Sequence, residues 1–288
     1  MTTGVCSLGY LRLAATDLDA WRAFAGDFLG MMPVAGDDAD SLYFRIDAYP
    51  QRLVVSPGPE PAMLAMGFEV RDRRHLAELA GAVAAAGVEV TAGTPEEAAE
   101  RRVTGLVKFA DPAGNPVELF YGPILDHVRV ATPTVSGFVT GDMGMGHVIV
   151  TVEDLDAALD FYIGVLGFVE RNTMGNGSVV FMGCNPRHHT LGLARKRGPG
   201  TLMHLMLEVA TLDDVGLALD RAAKLKIPMM HSLGKHTNDH MVSFYVYSPE
   251  QYAIEYGWNG LRIERDEPTY EITRGAFWGH KFTPPPTA

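Results

Sequence analysis

The chain contains its own sequence twice. Moved along by 137 residues, Leu8-Gly-Tyr-Leu-Arg-Leu13, Asp17-Leu-Asp-Ala20, Phe24 and Leu29-Gly30 fall on Met145-Gly-His-Val-Ile-Val150, Asp154-Leu-Asp-Ala157, Phe161 and Leu166-Gly167. The same offset lays Asp111-Pro-Ala-Gly-Asn-Pro-Val-Glu118 over Ser248-Pro-Glu-Gln-Tyr-Ala-Ile-Glu255, and a slip of two more residues matches Ala65-Met-Gly-Phe-Glu-Val70 with His204-Leu-Met-Leu-Glu-Val209. Self-similarity at a constant offset means one supersecondary unit built twice. The copies have diverged at two telling places: Tyr10 stands where the second copy has His147, and Ala65 where it has His204. Only Glu118 keeps its counterpart, Glu255.

The repeat divides the 288 residues into a first unit, 1–135, and a second, 136–288, each long enough to bury a core. An apolar fraction of 47% with 20% charged residues is that of a globular chain. A net charge of −11 with no basic stripe argues against nucleic acid or an anionic membrane as partner. Cys6 and Cys184, one in each copy, make no disulfide framework and favour a reducing compartment. Without a leader-like start or an apolar run long enough to span a bilayer, a cytoplasmic location is expected.

Within each copy, strands and short helices alternate. Helical spacing follows Asp72 (Leu76, Leu79, Ala80, Val83), Asp154 (Leu155, Ala158, Leu159, Tyr162) and Thr211 (Val215, Ala218, Leu219, Ala222, Leu225). Strand-like runs occupy 147–152, 179–182, 191–194, 204–209, 241–247 and 252–256. The pattern predicts an α+β chain of four βαβββ modules, near 8–60, 62–122, 145–197 and 200–258, two per domain around a cavity. Residues 123–142 link the copies, and 259–288 form a tail.

Eight of the ten histidines lie in the second copy, as one functional half of a duplicated fold predicts. Singly, His147, His204 or Glu255 is more often a hydrogen-bonded core residue than a ligand. Together they begin or lie within three strands, and burying an ionised Glu255 beside apolar neighbours is costly unless a cation or donors compensate. Two imidazoles and a carboxylate suit Fe(II), and Mn(II) accepts the same set. The ligands are 57 and 51 residues apart in the chain, so only a sheet can gather them. Adjacent His188 and His189 precede a strand and are expected on opposite faces, one towards the metal. The stretch 233–241 reads as a polar loop carrying His236, Asn238, Asp239 and His240, with Ser243, Tyr245 and Tyr247 on one strand face beyond it.

At these residues the chain resembles the type I extradiol ring-cleavage dioxygenases of the vicinal oxygen chelate superfamily, within them the 2,3-dihydroxybiphenyl 1,2-dioxygenase group. The resemblance covers nearly the whole chain. It is densest at Val135-Ser-Gly-Phe-Val-Thr-Gly-Asp142, Gly146-His147, Cys184-Asn-Pro-Arg-His-His-Thr190, His204-Leu-Met-Leu-Glu-Val209, Gly234-Lys-His-Thr-Asn-Asp-His-Met-Val-Ser-Phe-Tyr245, Glu255-Tyr-Gly-Trp258 and Trp278-Gly-His-Lys281. It implies that His147, His204 and Glu255 hold Fe(II) and that His189 is the nearby acid/base. It also implies that His236 and Tyr245 hydrogen-bond the catechol, with Asp239 orienting His236 or closing a proton relay. The partners it implies are a catechol and O2, and the assembly a homo-oligomer, an octamer in relatives.

The expected chemistry is ring cleavage beside the diol of a 3-substituted catechol, such as 2,3-dihydroxybiphenyl, with steroid-derived and naphthalene diols as alternatives. Ile149, Met174, Phe181, Asn238, Gly275 and Phe277 are the expected cavity wall, and the stretch 171–180 looks shorter than in the biphenyl-diol enzymes. A glyoxalase-like isomerase would ordinarily draw ligands from both halves of a paired module, where Tyr10 and Ala65 stand. A binding module of the antibiotic-sequestering kind would have no use for His189, His236 and Tyr245.

Overall fold

The computed structural model describes residues 4–263 and 268–286. The first copy comprises β1 (Val5–Ala15), α1 (Leu18–Ala23) continuing as a π-helical turn, β2 (Met32–Val34), β3 (Leu42–Arg45), β4 (Leu53–Pro57), β5 (Ala62–Val70), α2 (Arg73–Ala85), β6 (Thr91–Ala92), α3 (Pro95–Glu100), β7 (Val103–Ala110) and β8 (Pro116–Pro123). The second repeats this with β9 (His147–Val152), α4 (Leu155–Leu159) and its π-helical turn, β10 (Val169–Met174), β11 (Val179–Gly183), β12 (Leu191–Arg195), β13 (Leu202–Val209), α5 (Leu212–Leu225), β14 (Met229–His236), β15 (Val242–Tyr247) and β16 (Ala253–Trp258). The tail adds β17 (Tyr270–Ile272) and β18 (Ala276–Trp278). These are the four expected modules of an α+β fold.

Helices start where a side chain satisfies the first free amides. Asp17, Asp72, Asp154 and Thr211 each cap the helix that follows the opening strand of a module, accepting from Ala20, His75, Ala157 and Asp214 N–H. A capping box of Thr94 and Glu97, with Pro95 at the first turn, starts α3, which was not expected from the sequence. No helix among the described residues is long and apolar enough to cross a membrane.

The strands form an eight-stranded sheet, β2-β3-β4-β1-β5-β8-β7-β6, and a ten-stranded one, β17-β10-β11-β12-β9-β13-β16-β15-β14-β18. Their registers coincide under the repeat. Tyr10 pairs with Gly67 and Gly67 with Glu118 in the first sheet; His147 pairs with Met206 and Met206 with Glu255 in the second. Helices α1, α2, α4 and α5 lie between the sheets, α2 against the second copy's π turn and α5 against the first copy's, while α3 packs on the opposite face of the first sheet. Aromatic pairs Phe68–Phe168, Phe109–Phe161 and Phe28–Tyr256 join the two copies in one core.

The opposite faces of the two sheets differ. In the first copy Tyr10, Ala98, Val103, Leu106 and Phe120 fill the interior, with Tyr10 and Phe120 stacked at 4.9 Å. Glu118 accepts from Tyr10 Oη at 2.5 Å and from Arg101 Nη2 at 2.7 Å and Nε at 3.0 Å. Arg101 follows α3, so that short helix delivers the neutralising cation.

Arg101→Met should therefore strand a buried carboxylate and destabilise the chain by about 3–5 kcal/mol, read as a lowered urea midpoint. An unchanged midpoint would show that this ion pair is not what makes Glu118 tolerable.

Candidate functional site

Three adjacent strands of the second sheet bring the sequence-predicted ligands together. Alternation along β9, β13 and β16 sends Val148, Val150, Leu205, Leu207, Ile254 and Tyr256 into the core and His147, His204 and Glu255 into a cavity on the other face. Gly146 makes this approach feasible: it sits at φ +152°, and a Cβ there would lie 1.9 Å from Met206 O. The Nε2 atoms of His147 and His204 are 2.9 Å apart, and Glu255 Oε2 lies 3.4 Å from the first and 3.6 Å from the second.

Bonds of about 2.0–2.2 Å from one ion place donors roughly 3 Å apart at right angles, which this triangle matches. The protonation of His204 and Glu255 matches too. Burial pulls His204 down to about 3, keeping its imidazole neutral. Burial alone would raise the Glu255 carboxyl, but His147 and His236 outweigh it and hold it well below the usual range. Neutral imidazoles and an ionised carboxylate are the forms a divalent ion takes. The donor set thus fits a metal, and His147 Nδ1 is buried with no hydrogen-bond partner among the described residues.

Beside Glu255 stand His236 and Tyr245. Glu255 Oε1 accepts from Ser243 Oγ at 2.6 Å and lies 3.2 Å from His236 Nε2, which is 2.8 Å from Tyr245 Oη. His236 Nδ1 is 3.1 Å from Gly275 O, and a carbonyl only accepts, so Nδ1 carries a proton. The neutral ring therefore presents its lone pair at Nε2. Burial opposes a second proton there, but Glu255 and Asp239 outweigh burial and raise His236 to about 9, so at neutral pH Nε2 is protonated towards Glu255 until a cation neutralises that carboxylate.

Beside His147 stands His189, its ring centroid 3.8 Å away. The Asn172 amide nitrogen is 3.1 Å from His188 Nε2, and His188 Nδ1 is 3.0 Å from His189 Nδ1. With the amide donating, neutral His188 keeps its proton on Nδ1 and gives it to His189, whose own proton then rides on Nε2. Burial keeps both rings neutral, His188 near 3 and His189 well below its ordinary value. The two imidazoles meet edge to face, not pointing apart as expected, because they precede β12 and lie outside its alternation; only His189 reaches the cavity. Asp239 accepts from Met241 N–H at 3.1 Å and lies 4.0 Å from His189 Nδ1, on the side of that ring.

A family model described as "Dihydroxybiphenyl dioxygenase BphC D1" matches residues 8–58, and one described as "Glyoxalase/Bleomycin resistance protein/Dioxygenase superfamily" matches 144–256. An iron-dependent extradiol dioxygenase of Rhodococcus jostii (strain RHA1) is 42% identical, covering 96% of this chain and 97% of its own. A biphenyl-2,3-diol 1,2-dioxygenase of Paraburkholderia xenovorans (strain LB400) is also 42% identical, over 96% of this chain and 95% of its own. The chain belongs to the extradiol dioxygenase family. The crystal structure of BphC, a halotolerant catechol dioxygenase, superposes with a TM-score of 0.92 at 37% identity, covering 96% of this chain and 95% of that one.

In this family member the cavity measures about 370 Å³ and is lined chiefly by apolar groups around the polar cluster. Ile149, Met174, Phe181, Asn238 and Gly275 line it as expected; Phe277 does not. Ala276 faces inward, so strand alternation turns Phe277 outward, half-exposed against the His240 ring at 5.5 Å. The segment 171–180 is a tight hairpin of β10 and β11 that sets Met174 and Val179 into the wall. Residues 233–236, expected in a loop, finish β14, because β15 and the tail strand β18 pair with it on either side. That strand and the tail contribute Met230, His231, Gly279 and His280, none of which was singled out. Their sequence signals were the lopsided histidine count and, for Gly279 and His280, the Trp278-Gly-His-Lys281 stretch.

The donor triangle predicts one divalent ion per chain. Equilibrium dialysis against Mn(II) or anaerobic Fe(II) should find it, and His147→Ala or Glu255→Gln should weaken binding more than about 100-fold, beyond the usual effect of an outer-shell change. Stoichiometric binding that survives both substitutions would rule this triangle out.

Proposed function

We propose that this chain opens the ring of a 3-substituted catechol, 2,3-dihydroxybiphenyl or a bicyclic diol of similar size, inserting both atoms of O2 beside the diol. The observation that carries this reading is the joint placement of three metal donors, a neutral imidazole on the His147 side, and an imidazole–phenol pair on the Glu255 side. In it His147, His204 and Glu255 hold Fe(II), with Mn(II) able to take the same donors. Bound there, the ion would supply Lewis acidity towards the diol and one-electron access to O2.

The protein groups divide the remaining work. His236 Nε2, freed of its proton once a cation neutralises Glu255, would be suited to take a proton from a substrate hydroxyl, while the Tyr245 hydroxyl holds the oxygen. Burial pushes the Tyr245 phenol well above its ordinary range, so it stays a donor. His189 brings a neutral ring whose Nε2 proton can be given to oxygen as negative charge develops, with Asp239 beside that ring. Ile149, Met174, Val179, Phe181 and Ile272 form an apolar wall for the ring substituent and keep water from the reacting atoms. In the same reading residues 1–135 are a metal-free structural domain, Glu118 being already neutralised by Arg101, and residues 136–288 are catalytic.

Anaerobic reconstitution with Fe(II), followed by O2 and a panel of catechol, 3-methylcatechol, 2,3-dihydroxybiphenyl and 1,2-dihydroxynaphthalene, should give oxygen uptake and a yellow ring-opened product. No uptake with any of them would sink the proposal. His189→Ala should lower kcat by about 10²–10⁴-fold, the usual worth of a positioned acid/base, while anaerobic binding of the diol persists.

A further inference from the structure

The ten-stranded sheet is closed by its tail. β17 adds to β10 at one edge and β18 to β14 at the other, and only Thr273, Arg274 and Gly275 separate them. The tail is therefore a strap joining the two edges, and Ile272, Gly275, Ala276, Gly279 and His280 line the cavity from it. It is pinned further by Ser232 N–H to Lys281 O at 3.1 Å and Thr283 N–H to Met230 O at 2.8 Å.

Two parts of this strap touch His236. Gly275 O takes the Nδ1 proton, and the His280 imidazole lies against the His236 ring with centroids 4.0 Å apart and planes 16° from parallel. Seating His280 there makes unusual demands on the backbone. Gly279 adopts φ +74°, where a Cβ would lie 2.1 Å from Leu233 O, and a Cβ on Gly234 would lie 2.5 Å from the His280 ring. His280 itself takes φ +50°, a left-handed conformation that costs a non-glycine residue of order 1–3 kcal/mol. Neither of its ring nitrogens has a hydrogen-bond partner among the described residues, so its place is set by packing and by His231 Nδ1 on its carbonyl at 3.2 Å. A strained residue held flat against a reacting group, with its own polar atoms idle, is shaped for the contact it makes.

We propose that His280 is a positioning residue: its imidazole, laid on that of His236, acts with the Gly275 carbonyl to hold the plane and tautomer of the His236 ring, keeping Nε2 towards Tyr245 and the cavity. A flip about the last side-chain bond would exchange the ring's edges and turn Nε2 away from Tyr245 and the cavity. The flat neighbour on one side and the carbonyl on Nδ1 oppose that motion. The inference rests on the role given to His236 above.

The test compares His280→Ala with His280→Phe, which keeps a flat ring and discards both nitrogens, in the full chain. The alanine variant should lose about tenfold or more in kcat with KM changed by less than about threefold, since displacement by roughly an ångström can cost up to 10²-fold, and phenylalanine should restore most of it. Independently of turnover, the His236 Nδ1 proton, assigned by its absence in His236→Gln, should give a resolved imidazole resonance in the parent and in His280→Phe. That resonance should broaden or vanish in His280→Ala. If the parent turns over no catechol, the function falls and this resonance still decides the positioning. An alanine variant that keeps kcat and the resonance would overturn the proposal, as would a phenylalanine variant as impaired as alanine. Should His280→Ala fail to fold, His280→Phe alone decides: parent-like kcat and resonance support the stack, and their loss refutes it.

Discussion

Glu118 and Glu255 occupy the same register position in their sheets, both shielded from water, and an ionised carboxyl in such a place costs several kcal/mol unless something answers its charge. The two copies answer differently. In the first, α3 brings Arg101 to the carboxylate and Tyr10 donates to it, and stacked Tyr10 and Phe120 occupy the space beyond. In the second no arginine among the described residues reaches Glu255; three imidazoles, a serine hydroxyl and a cavity surround it instead. The same buried charge is thus an internal ion pair in one copy and an invitation to a cation in the other. The rest of the site follows from that difference.

The ligand triangle was legible because the repeat offset is a register statement. A shift of one residue would turn every side chain of a strand to the other face, so matching Tyr10 with His147 and Glu118 with Glu255 in sequence also matches them in space. The side of Phe277 and the extent of β14 were not legible, because neither stretch alternates apolar with polar residues; pairing between β14 and a tail some forty residues away decides both. The capping box at Thr94 and Glu97 was in plain view, yet its meaning depends on Arg101 reaching Glu118, a contact made only in the folded sheet. His280 was in view only as part of Trp278-Gly-His-Lys281, and its role was not legible there because it also depends on Gly234, far earlier in the chain, leaving room for its ring.

Polar groups around the triangle are arranged with their proton positions already settled by neighbours that can act in only one way. A backbone carbonyl can only accept, so Gly275 dictates the tautomer of His236. An amide nitrogen can only donate, so Asn172, through His188, dictates that of His189. Both imidazoles beside the metal donors therefore have Nε2 as the working atom: that of His189 bears a proton, and that of His236 is left with a lone pair once a cation answers the charge of Glu255. A pair prepared in opposite senses suits a reaction that removes a proton at one stage and returns one at another.

The backbone also explains why only one copy needed to change. In β13 the pairing with β9 slips between Leu202 and His204, and in β5 the pairing with β1 slips at the equivalent place, between Met63 and Ala65. The extra residues, Met203 and Leu64, are both partly exposed, and the residue that follows each is buried. A bulge re-aims the side chain next to it, and here it aims position 204, or 65, at the interior of its sheet whatever residue stands there. The fold therefore offers the ligand position in both halves. Putting histidine at Ala65 alone would still build no metal site, because Tyr10 and Arg101 already hold both oxygens of Glu118. Conversion would have to undo that ion pair before any ion could compete for the carboxylate.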